Sequence, residues 1–335
     1  MYHPPVRNQI LLGAALDQLR QLPEQHVHCC ITSPPYYALR DYGPTSAEWP
    51  DGWQGQLGHE KTSEQYLDHM VEICQEVYRV LRDDGSFWLN IDDTYVNKEL
   101  LGIPWRLVLR LRQIGFFLRS EIIWNKGNGM PENVHDRPSR AFEPLFLLTK
   151  QKHYYYDSEA VREDSNANLR NVWNIPTERY GGAHVAVFPT ALPNRCIRLS
   201  TSEKGCCGLC GAPLERQLER LSEVAEREGH PTRYGSVGTG AFKGYSMPSI
   251  QPPEYLTKGW QMTCRCETDQ IDPCLVLDPF AGSGTTLQEA QRLGRDYLGI
   301  EINPQSAAEI QKRLESTEQQ GVLEQARLAG LDMRF

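Results

Sequence analysis

Apolar positions along the chain fall into two rhythms. Residues 27–32, 86–91, 117–124, 142–149, 274–277 and 297–302 are short apolar runs bounded by polar or glycine turns, which predicts buried strands. Residues 9–13 predict a further short strand ending at Gly13. Helical spacing takes over between them. In 63–81, Tyr66, Met70, Ile73, Val77, Val80 and Leu81 share one face, with Ser63 as the expected N-cap and Asp84-Gly85 as a following turn. Helices are also predicted over 14–22, stopped by Pro23, over 104–114 with Pro104 near its first position, and over 285–293. From Pro304 onward the tail reads as an amphipathic helix with Ile310, Leu314, Val322 and Leu323 as contacts.

Strands that alternate with helices imply an α/β protein built on a doubly wound, mostly parallel sheet. No helical pattern separates 117–124 from 142–149, so these two are expected to pair antiparallel. Residues 196–270 break the rhythm, being rich in Gly, Pro, Arg and Glu with cysteines at both ends, and 235–253 reads as loop. The expected organisation is a first half over 1–195, a small cysteine-rich insert over 196–270, and a closing half over 271–335.

Two segments carry chemistry. Thr32-Ser33-Pro34-Pro35-Tyr36 follows a predicted strand, with prolines that stiffen the backbone. Asp278-Pro279-Phe280-Ala281-Gly282-Ser283-Gly284-Thr285-Thr286 reads as strand, tight turn and helix start. Glycines there let the backbone approach a ligand, and the helix offers free N–H groups and a positive end. Gly299-Ile300-Glu301 ends the next strand on an acid placed to accept from ribose hydroxyls. A nicotinamide site would more often add a third glycine, which is absent.

Together these motifs resemble the beta-group, permuted amino-methyltransferases of DNA, in which the catalytic loop precedes the cofactor loop. The resemblance runs through 9–200 and 275–305 and implies a permuted, Rossmann-like methyltransferase fold that binds S-adenosylmethionine. It implies that Asp278, Phe280, Gly282 and Gly284 shape the cofactor pocket, that Glu301 binds the ribose, and that Thr32, Pro279, Ala281, Ser283 and Thr285 belong to the same site. One departure stands out: the family's first strand usually ends in Gly-Asp, and here Gly13 precedes Ala14, so the adenine contact is unassigned.

An exocyclic base amine is a poor nucleophile because its lone pair is delocalised into the ring. Hydrogen-bond acceptors on its N–H groups push the nitrogen toward sp³ geometry, and the Ser33 hydroxyl and Pro34 carbonyl suit that task. Tyr36 offers a face on which an extruded base can stack. The catalytic set is therefore Ser33, Pro34, Pro35 and Tyr36. In the family Ser-Pro-Pro-Tyr more often marks cytosine N4 enzymes and Asp-Pro-Pro-Tyr adenine N6 enzymes, which favours cytosine N4 with adenine N6 as the rival. C5 methylation needs a cysteine nucleophile. Pro273-Cys274 leads straight into a strand, and Cys29 and Cys30 lie within one, so all three are expected in the core. Ile122 to Lys126, Pro131, Asp136-Arg137 and Glu143 resemble the family's target-base region, and 184–189 the segment beside the cofactor.

Ten cysteines without a secretory start suggest metal rather than disulfides. Cys207 and Cys210 form a knuckle with Gly208 and Gly211, and Cys264 and Cys266 supply a second pair for a closed structural zinc; Cys206 is an alternative to Cys207. The insert also holds Arg233, Lys243 and Lys258 among Tyr234, Phe242, Tyr245, Tyr255 and Trp260, which suits either DNA contact or a small stabilising lobe.

A net charge of −8 does not itself point to nucleic acid, so a DNA enzyme would need a local basic surface. Lys98, Arg106, Arg110, Arg112, Arg119, Lys126, Arg137, Arg140, Lys150 and Lys152 form either that surface or a solvated helix face. No apolar run would span a membrane, and a cytoplasmic protein is expected. The resemblance implies double-stranded DNA as partner and a cognate restriction endonuclease as a further one.

Overall fold

The computed structural model describes residues 6–42, 45–127, 132–162, 168–178, 188–221 and 255–328, with side chains placed to residue 320. One eight-stranded sheet organises them. Its strands, in chain order, are β1 (Gln9–Leu12), β2 (Val27–Thr32), β3 (Leu81–Asn90), β4 (Phe117–Asn125), β5 (Phe142–Thr149), β6 (Val172–Asn174), β7 (Leu275–Asp278) and β8 (Asp296–Glu301). Across the sheet they lie in the order β1-β8-β7-β2-β3-β5-β4-β6. β5 alone runs against the rest, pairing antiparallel with both β3 and β4. This follows from the β4–β5 connection, whose described residues hold no helix to return the chain for parallel pairing.

Helices cover both faces: α1 (Ala15–Gln21), α2 (Ser63–Val80), α3 (Ile103–Gln113), α4 (Ala191–Ser200), α5 (Thr285–Arg292) and α6 (Pro304–Leu328). The strands read as continuous apolar runs because each face needs its own core. In β2, Val27 and Cys30 join the core under α1, α2 and α3, whereas Cys29 and Ile31 join the one under α4, α5 and α6. Leu275 and Leu277 of β7 face the first core and Val276 the second. Cys29, Cys30 and Cys274 are buried, as expected.

Local chemistry sets the ends. Thr62, not the expected Ser63, caps α2, accepting from the Gln65 N–H at 3.2 Å, because the extended backbone falls at Thr62. The expected Asp84-Gly85 turn is absorbed as a bulge in β3, where the register against β2 shifts. α3 begins after Gly102 at φ +69°, with the Asp93 carboxylate accepting from Gly102 and Ile103 N–H at 2.9 and 3.0 Å. α4 and β6 have no counterpart in the sequence pattern, and α4 carries Leu192, Cys196, Ile197 and Leu199 into the second core past position 196. Val322 and Leu323 side chains lie outside the described residues.

Connections leave β2 and β7 in opposite directions. From β2 the chain crosses through α2 to β3; from β7 it crosses through α5 to β8, on the other face. The carboxyl ends of β2 and β7 therefore flank a topological switch point, where open α/β sheets form ligand clefts.

Candidate active site

A cleft of about 1090 Å³ opens there. The two motifs, some 240 residues apart in sequence, form adjoining walls because they follow adjacent strands. Ser33, Pro34, Pro35 and Tyr36 line it, as do Pro279, Phe280, Ala281, Gly282, Ser283, Thr285 and Glu301. Thr32, Asp278 and Gly284 are not among the lining residues.

Thr32 and Asp278 instead tie the loops together beneath the cleft floor. The Thr32 hydroxyl donates to Asp278 Oδ1 at 2.7 Å, and the same oxygen accepts from the Phe280 N–H at 3.1 Å. Burial raises the Asp278 carboxyl to about 6. Gly284 is needed for space and conformation: it sits at φ +76°, and a Cβ there would fall 2.6 Å from Ile310 Cγ2 on α6. Glu301 holds the turn from the other side, accepting from Gly282 N–H at 2.9 Å and Asn303 N–H at 2.8 Å. Burial raises its carboxyl too.

The Ser33–Tyr36 loop is held from two directions. Tyr66 of α2 donates its hydroxyl to the Pro35 carbonyl at 2.8 Å. Gly58 accepts from the Ala38 N–H at 2.8 Å, and its own N–H donates to Glu60 at 2.8 Å. Glu60 in turn meets His69 Nδ1 at 3.0 Å, and the His69 ring stacks on Trp49 with centroids 4.1 Å apart. Both Glu60 and His69 are buried.

Inside the cleft, the Tyr36 hydroxyl lies 3.0 Å from Ser33 Oγ, 2.9 Å from Glu143 Oε2 and 3.2 Å from Asn90 Oδ1. Glu143 as a carboxylate only accepts, so Tyr36 donates to it and is free to accept from Ser33. Burial, then the Glu143 charge, pushes the Tyr36 phenol well above its ordinary range. Lys126 pairs with Glu143, and its ammonium lies 5.4 Å from the Trp124 ring centroid. Arg140 pairs with Asp92, whose carboxyl is raised by burial and by Glu143.

Asn90 and Asp92 carry no motif in sequence; the available signal was their place at the carboxyl end of a predicted strand. Residues Gly13 to Asp17 form the wall toward α1, so Asp17 is the acid nearest the missing Gly-Asp position. Phe188 also lines the cleft, while 179–187 and Pro131 lie outside the described residues.

Most of the basic stretch is paired with acids, while Arg112, Arg119 and Lys152 are exposed. Arg106 and Arg110 of α3 share Glu64 of α2, and Arg110 also meets Asp68. Lys98 pairs with Asp136, Arg137 with Glu132, and Lys150 with Asp83. Within the insert Lys258 pairs with Glu219 and Arg216 covers Trp260, while Arg162 from the first half covers Tyr255. Arg233, Tyr234, Phe242, Lys243 and Tyr245 lie outside the described residues.

A separate cluster forms at the opposite end of the sheet. The sulfurs of Cys207, Cys210, Cys264 and Cys266 all lie within 4.8 Å of one another. Cys206 points away, toward the Asp272 carbonyl at 3.3 Å, so Cys207 is the member of the four. Cys206 gathers instead with Cys274 and with His28, a histidine that sequence distance had hidden.

The profile of the family described as DNA methylase matches residues 27–207 and 272–312, more than half of the chain. Type II methyltransferase M.Cfr9I of Citrobacter freundii is 36% identical over 88% of this chain and 83% of its own length. Type II methyltransferase M.SmaI of Serratia marcescens is 31% identical over 91% and 90%. Among solved structures, the PvuII DNA methyltransferase (cytosine-N4-specific) superposes with a TM-score of 0.60 at 18% identity, over 92% of this chain and 86% of that one. TTHA0409 from Thermus thermophilus, complexed with S-adenosyl-L-methionine, superposes at 0.54 with 22% identity, over 92% and 95%. The motifs, the sheet order and these matches agree: the chain belongs to the N6/N4 family of DNA methylases, S-adenosylmethionine-dependent DNA methyltransferases.

Proposed function

We propose that the chain methylates the exocyclic N4 of cytosine in duplex DNA at a specific site, after extruding the base into the cleft. The observation that carries this is the meeting of the Ser33–Tyr36 loop and the Pro279–Thr285 loop on one cleft. Bound S-adenosylmethionine supplies the methyl group, held by Phe280 to Thr285 and by Glu301, with Asp278 and Thr32 fixing the loop from below. A cofactor of that size fits beside a base in the available volume.

Ser33 and the Pro34 carbonyl accept from the target amine and orient its lone pair toward the methyl carbon. The new N–C bond forms as the S–C bond breaks, with that electron pair left on sulfur. The proton leaving nitrogen has an exit along Ser33 and Tyr36 to Glu143, since each step is a hydrogen bond in the structure. Tyr36 is thus tied at its hydroxyl, and its ring face remains the stacking surface for the base. Much of the acceleration comes from this positioning.

Four thiolates within 4.8 Å suit a closed tetrahedral zinc site, in which Zn–S distances of about 2.3 Å put sulfurs roughly 3.8 Å apart. Cys207, Cys210, Cys264 and Cys266 would hold the ion. A structural role suits it, because all four ligands come from the protein. The Type II names of the relatives support duplex DNA as substrate and a cognate restriction endonuclease as partner, and an enzyme acting on the DNA of a bacterial cell would work in the cytoplasm.

The test is to incubate the protein with unmethylated bacterial DNA and S-adenosylmethionine, digest to nucleosides and identify the product by mass spectrometry. N4-methylcytosine is expected. N6-methyladenine would overturn the base assignment and leave the fold and cleft chemistry standing. No methylated base together with no cofactor binding would overturn the catalytic reading.

A further inference from the structure

The cysteine cluster sits where three strands begin. Cys206–Cys207 pair antiparallel with Ile271–Asp272, so the start of the insert is bonded to the chain that leads into β7. Gly208 N–H donates to the Gln270 carbonyl at 2.8 Å, and Gly205 packs so tightly on Asp272 that a Cβ would fall 2.4 Å from its carbonyl oxygen. The metal knuckle therefore spans the junction between the catalytic half of the chain and the cofactor half.

Two carbonyls of the knuckle are bonded to the sheet itself. Arg82 in the β3 bulge donates from Nη1 to the Cys210 carbonyl at 2.7 Å, while the Asp84 carboxylate accepts from Nε and Nη2 along the other edge. His28 of β2 lies 2.8 Å from the Gly211 carbonyl through Nε2 and 3.0 Å from the Leu275 N–H through Nδ1. The Leu275 amide can only donate, so Nδ1 accepts and Nε2 carries the proton. Both ring nitrogens are thereby occupied, which excludes His28 as a metal ligand beside Cys206 and Cys274. One buried, neutral imidazole connects the knuckle, β2 and β7.

Each strand held here carries a working segment at its other end. β2 leads to Ser33, β3 to Asn90 and Asp92, and β7 to Asp278 and the cofactor loop. From His28 to Ser33 is five residues of strand, roughly 16 Å. The described part of the knuckle thus lies at the end of the sheet remote from the cleft, away from where an extruded base would enter.

We propose that the metal-loaded knuckle is a staple across this junction, with His28 as the positioning residue that passes its order to β2 and β7 and so to the cofactor loop. The proposal rests on the zinc reading and deepens it. It assigns the described part of the insert to stabilisation rather than to reading DNA.

The experiment measures zinc by native mass spectrometry and S-adenosylmethionine affinity by calorimetry on the same protein, before and after a zinc chelator. Freshly purified protein is expected to hold one zinc, and chelation to weaken cofactor binding about tenfold, a common size for coupled sites. Because coupling is reciprocal, saturating cofactor should slow zinc loss to the chelator. His28→Ala should keep its zinc, bind the cofactor several-fold more weakly and lose little more on chelation. His28→Gln, which offers one acceptor and one donor, should restore the wild-type response. Zinc-free protein that binds the cofactor as tightly as loaded protein would overturn the staple and leave the metal site standing. Absence of zinc from fresh protein would overturn both. If the chelated chain unfolds, zinc-loaded His28→Ala decides: unchanged cofactor affinity overturns the staple.

Discussion

The two ends of β2, β3 and β7 use similar groups in opposite ways. At the carboxyl end Ser33, Asn90, Asp92, Glu143 and Glu301 converge on an open cleft. At the amino end His28, Arg82 and the Cys210 and Gly211 carbonyls bond to one another and to the Leu275 amide. Both ends gather polar groups, yet only one leaves them facing space that a ligand can fill. A cluster becomes a binding site when its hydrogen-bonding capacity exceeds what its neighbours absorb. The closed end supports the fold that the open end needs.

The sharpest way to break this contrast is to remove a group from the open end. Ser33→Ala deletes one acceptor from the amine and the first link of the proton exit. Its cost should appear in kcat, by about 10²-fold, the usual size for one preorganised hydrogen-bonding group at a reacting centre. Cofactor affinity should hold, because Ser33 bonds to Tyr36 and not to the glycine turn. A single-turnover assay on cognate DNA checks this, and a normal rate would remove Ser33 from the mechanism.

Gly284→Ala acts on the cofactor side of the same cleft. The new methyl meets Ile310 and the backbone sits in the left-handed region, a strain of about 1–3 kcal/mol. The turn relaxes away from its bound shape, and cofactor affinity should fall about tenfold, because every 1.4 kcal/mol is one decade. Calorimetry reads it directly. Equal affinity would mean that α6 yields and the turn is not what sets the site.

Much of this geometry is visible in the residues themselves, and the reason is locality. The Ser33–Tyr36 and Asp278–Thr286 segments announce themselves because proline, glycine and a strand-to-helix change act within a few positions. The strands other than β6 follow from equally local apolar runs, whereas their order across the sheet is set by pairing between segments remote in the chain. Groups whose partners are remote in the chain stay hidden. Arg140 reads as surface charge until Asp92 is placed beside it. Arg106 and Arg110 read as a basic face until α2 brings Glu64. His28 sits in an apolar run and shows no sign of meeting a glycine carbonyl near position 211. The charge pattern was legible as composition, and its pairing was decided by the tertiary fold.

Between the open and closed ends lies Glu60, a closed cluster on the cleft side. Glu60→Ala would leave the Gly58 amide and His69 Nδ1 without their acceptor, at a cost of about 1–3 kcal/mol. Denaturant unfolding should show that loss. The reaction should slow through kcat while the KM for the cofactor holds, since Gly58 braces Ala38 beside the Ser33–Tyr36 loop. Glu60→Gln keeps an acceptor for Gly58 and should recover much of the rate. If both variants slow the reaction equally, the His69 contact matters more than the loop brace.

The smallest effect concerns Asp278, where the two ends meet in one residue: closed in its bonding, yet placed under the open site. Burial lifts its carboxyl from an ordinary 3.8 to about 6. The folded state therefore prefers the protonated form, and the stability this contributes is complete below the unfolded pKa and is lost as pH rises through about 6. Asp278→Asn is neutral throughout and keeps an acceptor for the Thr32 hydroxyl and the Phe280 amide. Wild type and variant should melt together near pH 4 and separate between pH 4 and 7, with the variant more stable by a few degrees above pH 6. Melting curves that stay parallel across that window would mean that the carboxylate is as well solvated in the fold as in the open chain. The Thr32–Asp278 bond would then be incidental to how the two loops are joined.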